Sequence, residues 1–271
     1  MKVALVQMSS IWGEARANLR ITRRFVAEAR KGGADLVVFP ELSVHGIWKD
    51  HMVRMVAEPL EGPIVGTMQS LACRQRLALA FGLAEKTNGK PFNTYVVVDA
   101  SGEIVGVYRK NFVTHLEGEF FRRDRRRPVF DWNGVRTAVA ICADCCNEVL
   151  LAGYGRRKVK LLLMPHAWDA DPVLRDGTIP AFPSMQKLVE TYARGEVARY
   201  LNHREMLDKF TSRLAPMAAK YGFHAVFVNA TGLPHRLIPL VGPCFAVNAE
   251  GEVIARTRGK KEQILFVGLD L

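Results

Sequence analysis

The chain alternates short apolar runs with polar, helix-forming stretches. Lys2 to Met8 alternates and is rich in Val and Leu, which predicts a first strand. Leu19, Phe25, Val26 and Ala29 then recur at helical spacing, with Asn18 as the expected cap and Gly32-Gly33 as the stop. A buried strand follows from Asp35 to Phe39, ended by Pro40, and a second helix from Ile64 to Arg76. Three strands, Leu77 to Leu83, Phe92 to Asp99 and Glu103 to Arg109, are separated by tight turns at Asn88-Gly89 and Ser101-Gly102. Short turns demand antiparallel pairing, whereas the earlier strand–helix–strand units demand parallel pairing, so the sheet is expected to be mixed.

The second half repeats these ingredients. Val135 to Ile141 predicts a buried strand, followed by a helix start between Cys145 and Leu151. Leu161 to Met164 predicts a short strand stopped by Pro165. A helix is expected from Ser184 to about Arg199, and another from Asn202, with Glu205 as its capping-box partner, to about Tyr221, with Pro216 as a possible kink. Strands at Phe223 to Asn229, Gly242 to Asn248, Val253 to Arg256 and Gln263 to Gly268 close the chain. With no internal repeat and no linker, residues 1–271 are expected to form one layered α/β domain, with a helical insert around 169–210.

Composition narrows the class. The 271 residues are 49% apolar but contain no 18-residue apolar run, so no membrane span is expected. The chain opens directly on a strand, and five cysteines, an odd number, point to reduced thiols in the cytoplasm. The net charge of +11 is densest at Arg122-Arg123-Asp124-Arg125-Arg126-Arg127, either a solvated rim, an entrance for anions, or a contact for an acidic partner. No aromatic stacking platform accompanies it, so a nucleic-acid partner is not expected.

Three polar residues stand just past apolar runs: Glu41, Lys110 and Cys142. The combination makes chemical sense. A thiol becomes a strong nucleophile once a carboxylate takes its proton, an ammonium stabilises the resulting oxyanion, and the same carboxyl returns the proton to a leaving amine. No metal or cofactor is needed. Cys142 and Cys145 also form a C-x-x-C, but no second cysteine pair exists to complete a zinc site.

The motifs Val3-Ala4-Leu5-Val6-Gln7-Met8, Phe39-Pro40-Glu41-Leu42, Tyr108-Arg109-Lys110, Ile141-Cys142-Ala143-Asp144, Pro165-His166-Ala167-Trp168 and Val228-Asn229-Ala230-Thr231-Gly232 occur in an order that resembles the nitrilase superfamily, the carbon–nitrogen hydrolases. The resemblance implies a four-layer α-β-β-α sandwich with mixed sheets. It implies Glu41 as general base, Lys110 as oxyanion stabiliser, Cys142 as nucleophile and a second glutamate after the lysine, Glu117 or, failing that, Glu119. The Ala143 N–H would complete the oxyanion site and Trp168 would stand beside the substrate. A homodimer or larger homo-oligomer is also implied. Ala143-Asp144 does not match the Trp-Glu that nitrile-cleaving members often carry after the cysteine, which favours an amide over a nitrile, and Cys145-Cys146-Asn147-Glu148 replaces the family's common Phe-Pro-Glu. The expected activity is therefore hydrolysis of a small amide, ω-amide or N-carbamoyl compound. The alternatives are nitrile hydrolysis, acyl transfer at the same site, or an idle scaffold.

Overall fold

The computed structural model describes residues 1–46, 51–115, 117–167, 203–232 and 240–271. In chain order the described elements are β1 (Lys2–Gln7), α1 (Ala15–Lys31), β2 (Leu36–Val38), α2 (Val53–Val56), α3 (Pro63–Gln75), β3 (Ala78–Glu85), β4 (Phe92–Val98) and β5 (Ile104–Arg109). They continue with β6 (Val129–Trp132), β7 (Val135–Val139), α4 (Glu148–Arg156), β8 (Leu161–His166), α5 (His203–Tyr221) and β9 (His224–Asn229). The last are β10 (Thr231–Gly232), β11 (Leu240–Val241), β12 (Phe245–Val247), β13 (Val253–Arg256) and β14 (Gln263–Gly268). Two 3-10 turns, Glu117–Glu119 and Cys142–Cys146, carry residues of interest.

The strands form two six-stranded sheets, ordered β14-β1-β2-β3-β4-β5 and β13-β12-β9-β8-β7-β6, beside a small β10-β11 pair. Each large sheet is mixed. β1, β2 and β3 run parallel through helical crossovers, with antiparallel β4 and β5 on one side and β14 on the other. β7, β8 and β9 are likewise parallel, flanked by antiparallel β6 and β12.

Alternation along the strands explains the layers. On β1, Val3 and Leu5 enter a core shared between the sheets, with Leu36, Tyr95, Ile141, Leu163 and Val226. Ala4 and Val6 face the other way, into a core under α1 and α3. The second sheet repeats the plan, packing Leu162, Phe227 and Phe245 against Leu150, Tyr154, Leu207 and Leu214 of α4 and α5. The result is α-β-β-α. Strands covered on both faces are apolar at every position, which is why they are visible as unbroken runs in the sequence.

Three local expectations are corrected. Asn18 does not cap α1: the helix begins a turn earlier, and buried Asn18 accepts from the Ile11 amide while donating to the Ile11 and Val44 carbonyls. It pins the loop after β1 to the loop after β2. Pro165 does not stop β8, which runs on to His166. Leu163 faces β7, where its carbonyl accepts from Ala140, so Pro165, two residues on, turns its missing N–H to a side that β7 has already left. Finally, the strand before Cys142 ends at Val139, and α4 starts only at Glu148, where Asn147 accepts from Leu150 as the cap. The strand β6 and the short helix α2 lacked a clear periodic signal. Of the expected insert, residues 203–210 begin α5, whose Leu207 joins the core; the Ser184–Arg199 helix and the Asn202 cap lie outside the described residues. Among the described residues, no helix is long and apolar enough to cross a membrane.

His45 follows Glu41 in the loop after β2 and is buried. Ala84 N donates to its Nδ1 at 3.0 Å, which leaves the proton on Nε2. Burial depresses its pKa from 6.5 to about 4. Between those values the unfolded chain binds a proton that the folded chain refuses, so this residue's contribution to stability is lost as pH falls from 6.5 towards 4. The stability difference between wild type and His45→Gln, measured by urea unfolding, should therefore move against wild type by about 2 kcal/mol between pH 7 and pH 5. A pH-independent difference would show that His45 titrates alike in both states.

Candidate active site

Parallel strands deliver their C-terminal ends to one edge, and here two sheets do so at the same place. Glu41 lies two residues past Phe39, whose amide donates to the Ala80 carbonyl of β3 and whose carbonyl accepts from the Tyr95 hydroxyl at 2.5 Å. The turn is drawn hard against β3: a Cβ at Gly82 would collide with the Leu42 amide nitrogen. Lys110 immediately follows β5, and its amide donates to the Asn93 carbonyl of β4 at 2.9 Å. Cys142 lies just past β7, at the start of its 3-10 turn, with φ at +47°. For a non-glycine residue that conformation costs roughly 1–2 kcal/mol and is retained where the surroundings impose it.

The side chains meet in a buried network. The Lys110 ammonium donates to Glu41 Oε1 at 2.8 Å and to Glu117 Oε1 at 2.6 Å. Asn93 Nδ2 donates to the same Glu41 oxygen at 2.6 Å, and Ala167 N, just past β8, donates to Glu41 Oε2 at 3.0 Å. Glu117 Oε2 accepts from Thr114 N at 3.0 Å. Both carboxylates are thus held at each oxygen. Glu119, the other acid considered, is exposed.

The fields follow from this arrangement. Burial opposes the Lys110 charge, but Glu117 and Glu41 outweigh it and hold the pKa well above the usual lysine value. Burial likewise works against ionised Glu117, and Lys110 overcomes it, so that its pKa is lowered. The Cys142 thiol is pushed well up, first by burial and then by the negative charge of Glu41, with Lys110 pulling the other way. At rest it is a neutral thiol.

Cys145 is a different kind of cysteine. It is buried beneath α4, and its sulfur lies 3.5 Å from His166 Nε2. His166 Nδ1 sits 2.9 Å from the Met164 carbonyl, which fixes that nitrogen as the donor and leaves Nε2 without a hydrogen. Burial keeps His166 neutral, with a pKa of about 3. Cys146 is exposed, and its pKa is lowered to about 6 by the Cys145 hydrogen bond and then by Arg213.

Ala143 is half-buried in the first turn of the 3-10 segment, and Trp168 lies outside the described residues. Two partners were missed from sequence: Asn93, which braces Glu41, and Asp144, which closes the cysteine turn. Asn93-Thr94 was the available signal, a polar pair at the start of an otherwise apolar strand. In the arginine-rich segment, Arg122 stacks on Phe92 at 4.7 Å and Arg126 pairs with Asp124, while Arg123 and Arg125 are exposed.

Over 144 residues the chain is 33% identical to an (R)-stereoselective amidase from Pseudomonas sp., covering 53% of this chain and 52% of that one. It is 23% identical over 266 residues to an N-carbamoylputrescine amidase of Arabidopsis thaliana, covering 94% and 81%. The chain spans about half or less of the length of several curated relatives it matches, including 44% of a glutamine-dependent NAD(+) synthetase from Acinetobacter baylyi. The fold matches that of an amidase from Nesterenkonia sp. AN1, solved with acrylamide added to its active-site cysteine, with a TM-score of 0.78 at 20% identity over 99% of this chain and 93% of that one. The carbon-nitrogen hydrolase family pattern matches residues 2–180, two thirds of the chain, and the chain belongs to that family.

Proposed function

We propose that the protein hydrolyses a non-peptide C–N bond in a small amide, ω-amide or N-carbamoyl compound through a thioester on Cys142. The observation that carries this reading is the buried Glu41–Lys110–Glu117 network at the strand ends beside Cys142. The amidases among the relatives support the reaction class.

In this reading Glu41 takes the thiol proton as the sulfur attacks the carbonyl carbon. A preformed thiolate is disfavoured by the same carboxylate, so proton transfer and C–S bond formation are coupled. The oxyanion is met by the Lys110 ammonium and the Ala143 N–H. Glu41 then passes its proton to the leaving nitrogen, and ammonia or an amine departs. Water, deprotonated by Glu41, attacks the thioester; the acid is released and Cys142 regains its proton. Glu117 holds Lys110 in place and keeps it charged. The 1–271 chain acts as one hydrolase domain.

A reducing compartment, the cytoplasm, is supported by five unpaired cysteines, two of which keep their sulfurs 3.9 Å apart without a bond.

The test is ammonia release from a panel of amides, ω-amides, N-carbamoyl amino acids and nitriles, paired with intact-mass measurement. Wild type should release ammonia and show an acyl adduct on Cys142. Cys142→Ala should lose both, and Glu41→Gln should fall by about 10²–10⁴-fold, the range for a positioned acid–base group. An adduct that accumulates until an amine is added would indicate acyl transfer instead, and activity surviving in Cys142→Ala would end the thioester reading.

Thiol chemistry gives an independent check. Because Cys146 has a pKa of about 6, it is mostly thiolate at pH 7. N-ethylmaleimide at pH 7, followed by peptide mapping, should therefore modify Cys146 well before buried Cys145 and Cys244. Equal rates at all three would contradict the fields described above.

A further inference from the structure

Asp144 is fully buried two residues past Cys142, and the proposed cycle does not use it. Three donors converge on its carboxylate. Ile141 N, immediately before Cys142, donates to Oδ2 at 3.1 Å. The Tyr108 hydroxyl donates to the same oxygen at 2.8 Å, and Phe112 N donates to Oδ1 at 2.6 Å. Tyr108 and Phe112 stand two residues before and two residues after Lys110.

One carboxylate therefore ties the start of the cysteine turn, on the second sheet, to both sides of the lysine, on the first. The donor count specifies the acceptor. An ionised carboxylate accepts from all three groups and has no hydrogen of its own to place. An amide or a protonated acid at this position would aim a donor at a donor and leave a buried polar group unpaired. Burial raises the Asp144 pKa to about 6, against the pull of Lys110 and the three donors, so the group is ionised at neutral pH.

We propose that Asp144 is a positioning residue: by gripping Ile141 N together with Tyr108 and Phe112, it sets the placement of the Cys142 sulfur relative to the Lys110 ammonium. It touches neither the sulfur nor the substrate. Its influence runs through the backbone, where a shift of about 1 Å between reacting groups costs on the order of 100-fold in rate. The proposal rests on the reading of Cys142 as nucleophile and Lys110 as oxyanion partner.

The test uses Asp144→Asn and Tyr108→Phe in the full chain. Three quantities are measured: thermal unfolding, kcat and KM for ammonia release, and the second-order rate at which fluoroacetamide alkylates Cys142, mapped by peptide mass spectrometry. The alkylation rate needs no turnover and reports how the sulfur is placed relative to Glu41, which takes its proton, and to the groups that hold the carboxamide. The expected result for Asp144→Asn is cooperative melting, KM within about threefold of wild type, and kcat and the alkylation rate both lower by about 100-fold. Tyr108→Phe, which keeps the carboxylate and two donors, should fall by about tenfold in both rates.

A folded Asp144→Asn protein with wild-type kcat and alkylation rate overturns the proposal. So does a loss of activity that merely tracks the unfolded fraction. Should Asp144→Asn fail to fold, Tyr108→Phe decides: a wild-type alkylation rate there overturns the proposal, and a tenfold loss in a fully folded protein supports it. A wild-type protein that releases no ammonia from any compound, and whose Cys142 resists fluoroacetamide, sinks the reading of the site itself. An active, labelled wild type beside an unaffected variant sinks only the role of Asp144.

Discussion

An ammonium buried between two carboxylates is the constraint around which this molecule is arranged. Lys110 has almost no contact with solvent, and Glu41 and Glu117 stand 2.8 and 2.6 Å from its nitrogen. Taking such groups out of water costs several kcal/mol per ion, and only close, well-directed partners offset it. The remaining hydrogen bonds serve that end. Asn93, Ala167 and Thr114 fill the other acceptor sites of the two carboxylates, so neither acid is free to rotate away from the lysine. Loss of Lys110 would leave two negative groups facing each other in a dry site. Its replacement would disturb the acids as much as the oxyanion chemistry.

The same cluster determines what kind of nucleophile Cys142 is. Two carboxylates and one ammonium leave an excess of negative charge, and burial adds to it, so the thiol keeps its proton. In the proposed cycle, reactivity is then confined to the moment when a carbonyl carbon is in place and Glu41 receives the proton. The contrast with Cys146, four residues along, is instructive. That sulfur is exposed and lies near Arg213, and its pKa is low. By acidity alone Cys146 is the more reactive thiol, yet it is Cys142 on which the Glu41 carboxylate acts. Nucleophile identity follows from the surrounding proton path as well as from acidity.

Much of this was legible in the sequence, for a physical reason. Strands buried on both faces are apolar throughout, so a charged residue soon after one stands out, as Glu41 does after β2; Lys110 follows the apolar run of β5, a partly exposed edge strand. Residues whose purpose lies in distant partners did not stand out. Asn93 meets Glu41 across 52 positions and Tyr108 meets Asp144 across 36, and nothing local announces either pairing. Asn18 misled because a short polar residue at the head of an amphipathic stretch is usually a cap, whereas here its side chain ties together two loops. Pro165 misled because its effect depends on whether a neighbouring strand needs the missing N–H, which is a property of the sheet.

The two sheets contribute unequally to the site, and this has a structural consequence. Glu41, Asn93 and Lys110 come from the ends of the first sheet, and Cys142 and Ala167 from the ends of the second. The separation of Cys142 and Glu41 is therefore set by the packing between the sheets. The shared core beneath them contains Tyr95, which also fastens the Glu41 turn through the Phe39 carbonyl, and Ile141, which adjoins the nucleophile. In an interior at native density, a change of one methylene is felt by its neighbours. The residues that hold the sheets apart thus bear on the chemistry as directly as the loops around the entrance, which act on the substrate.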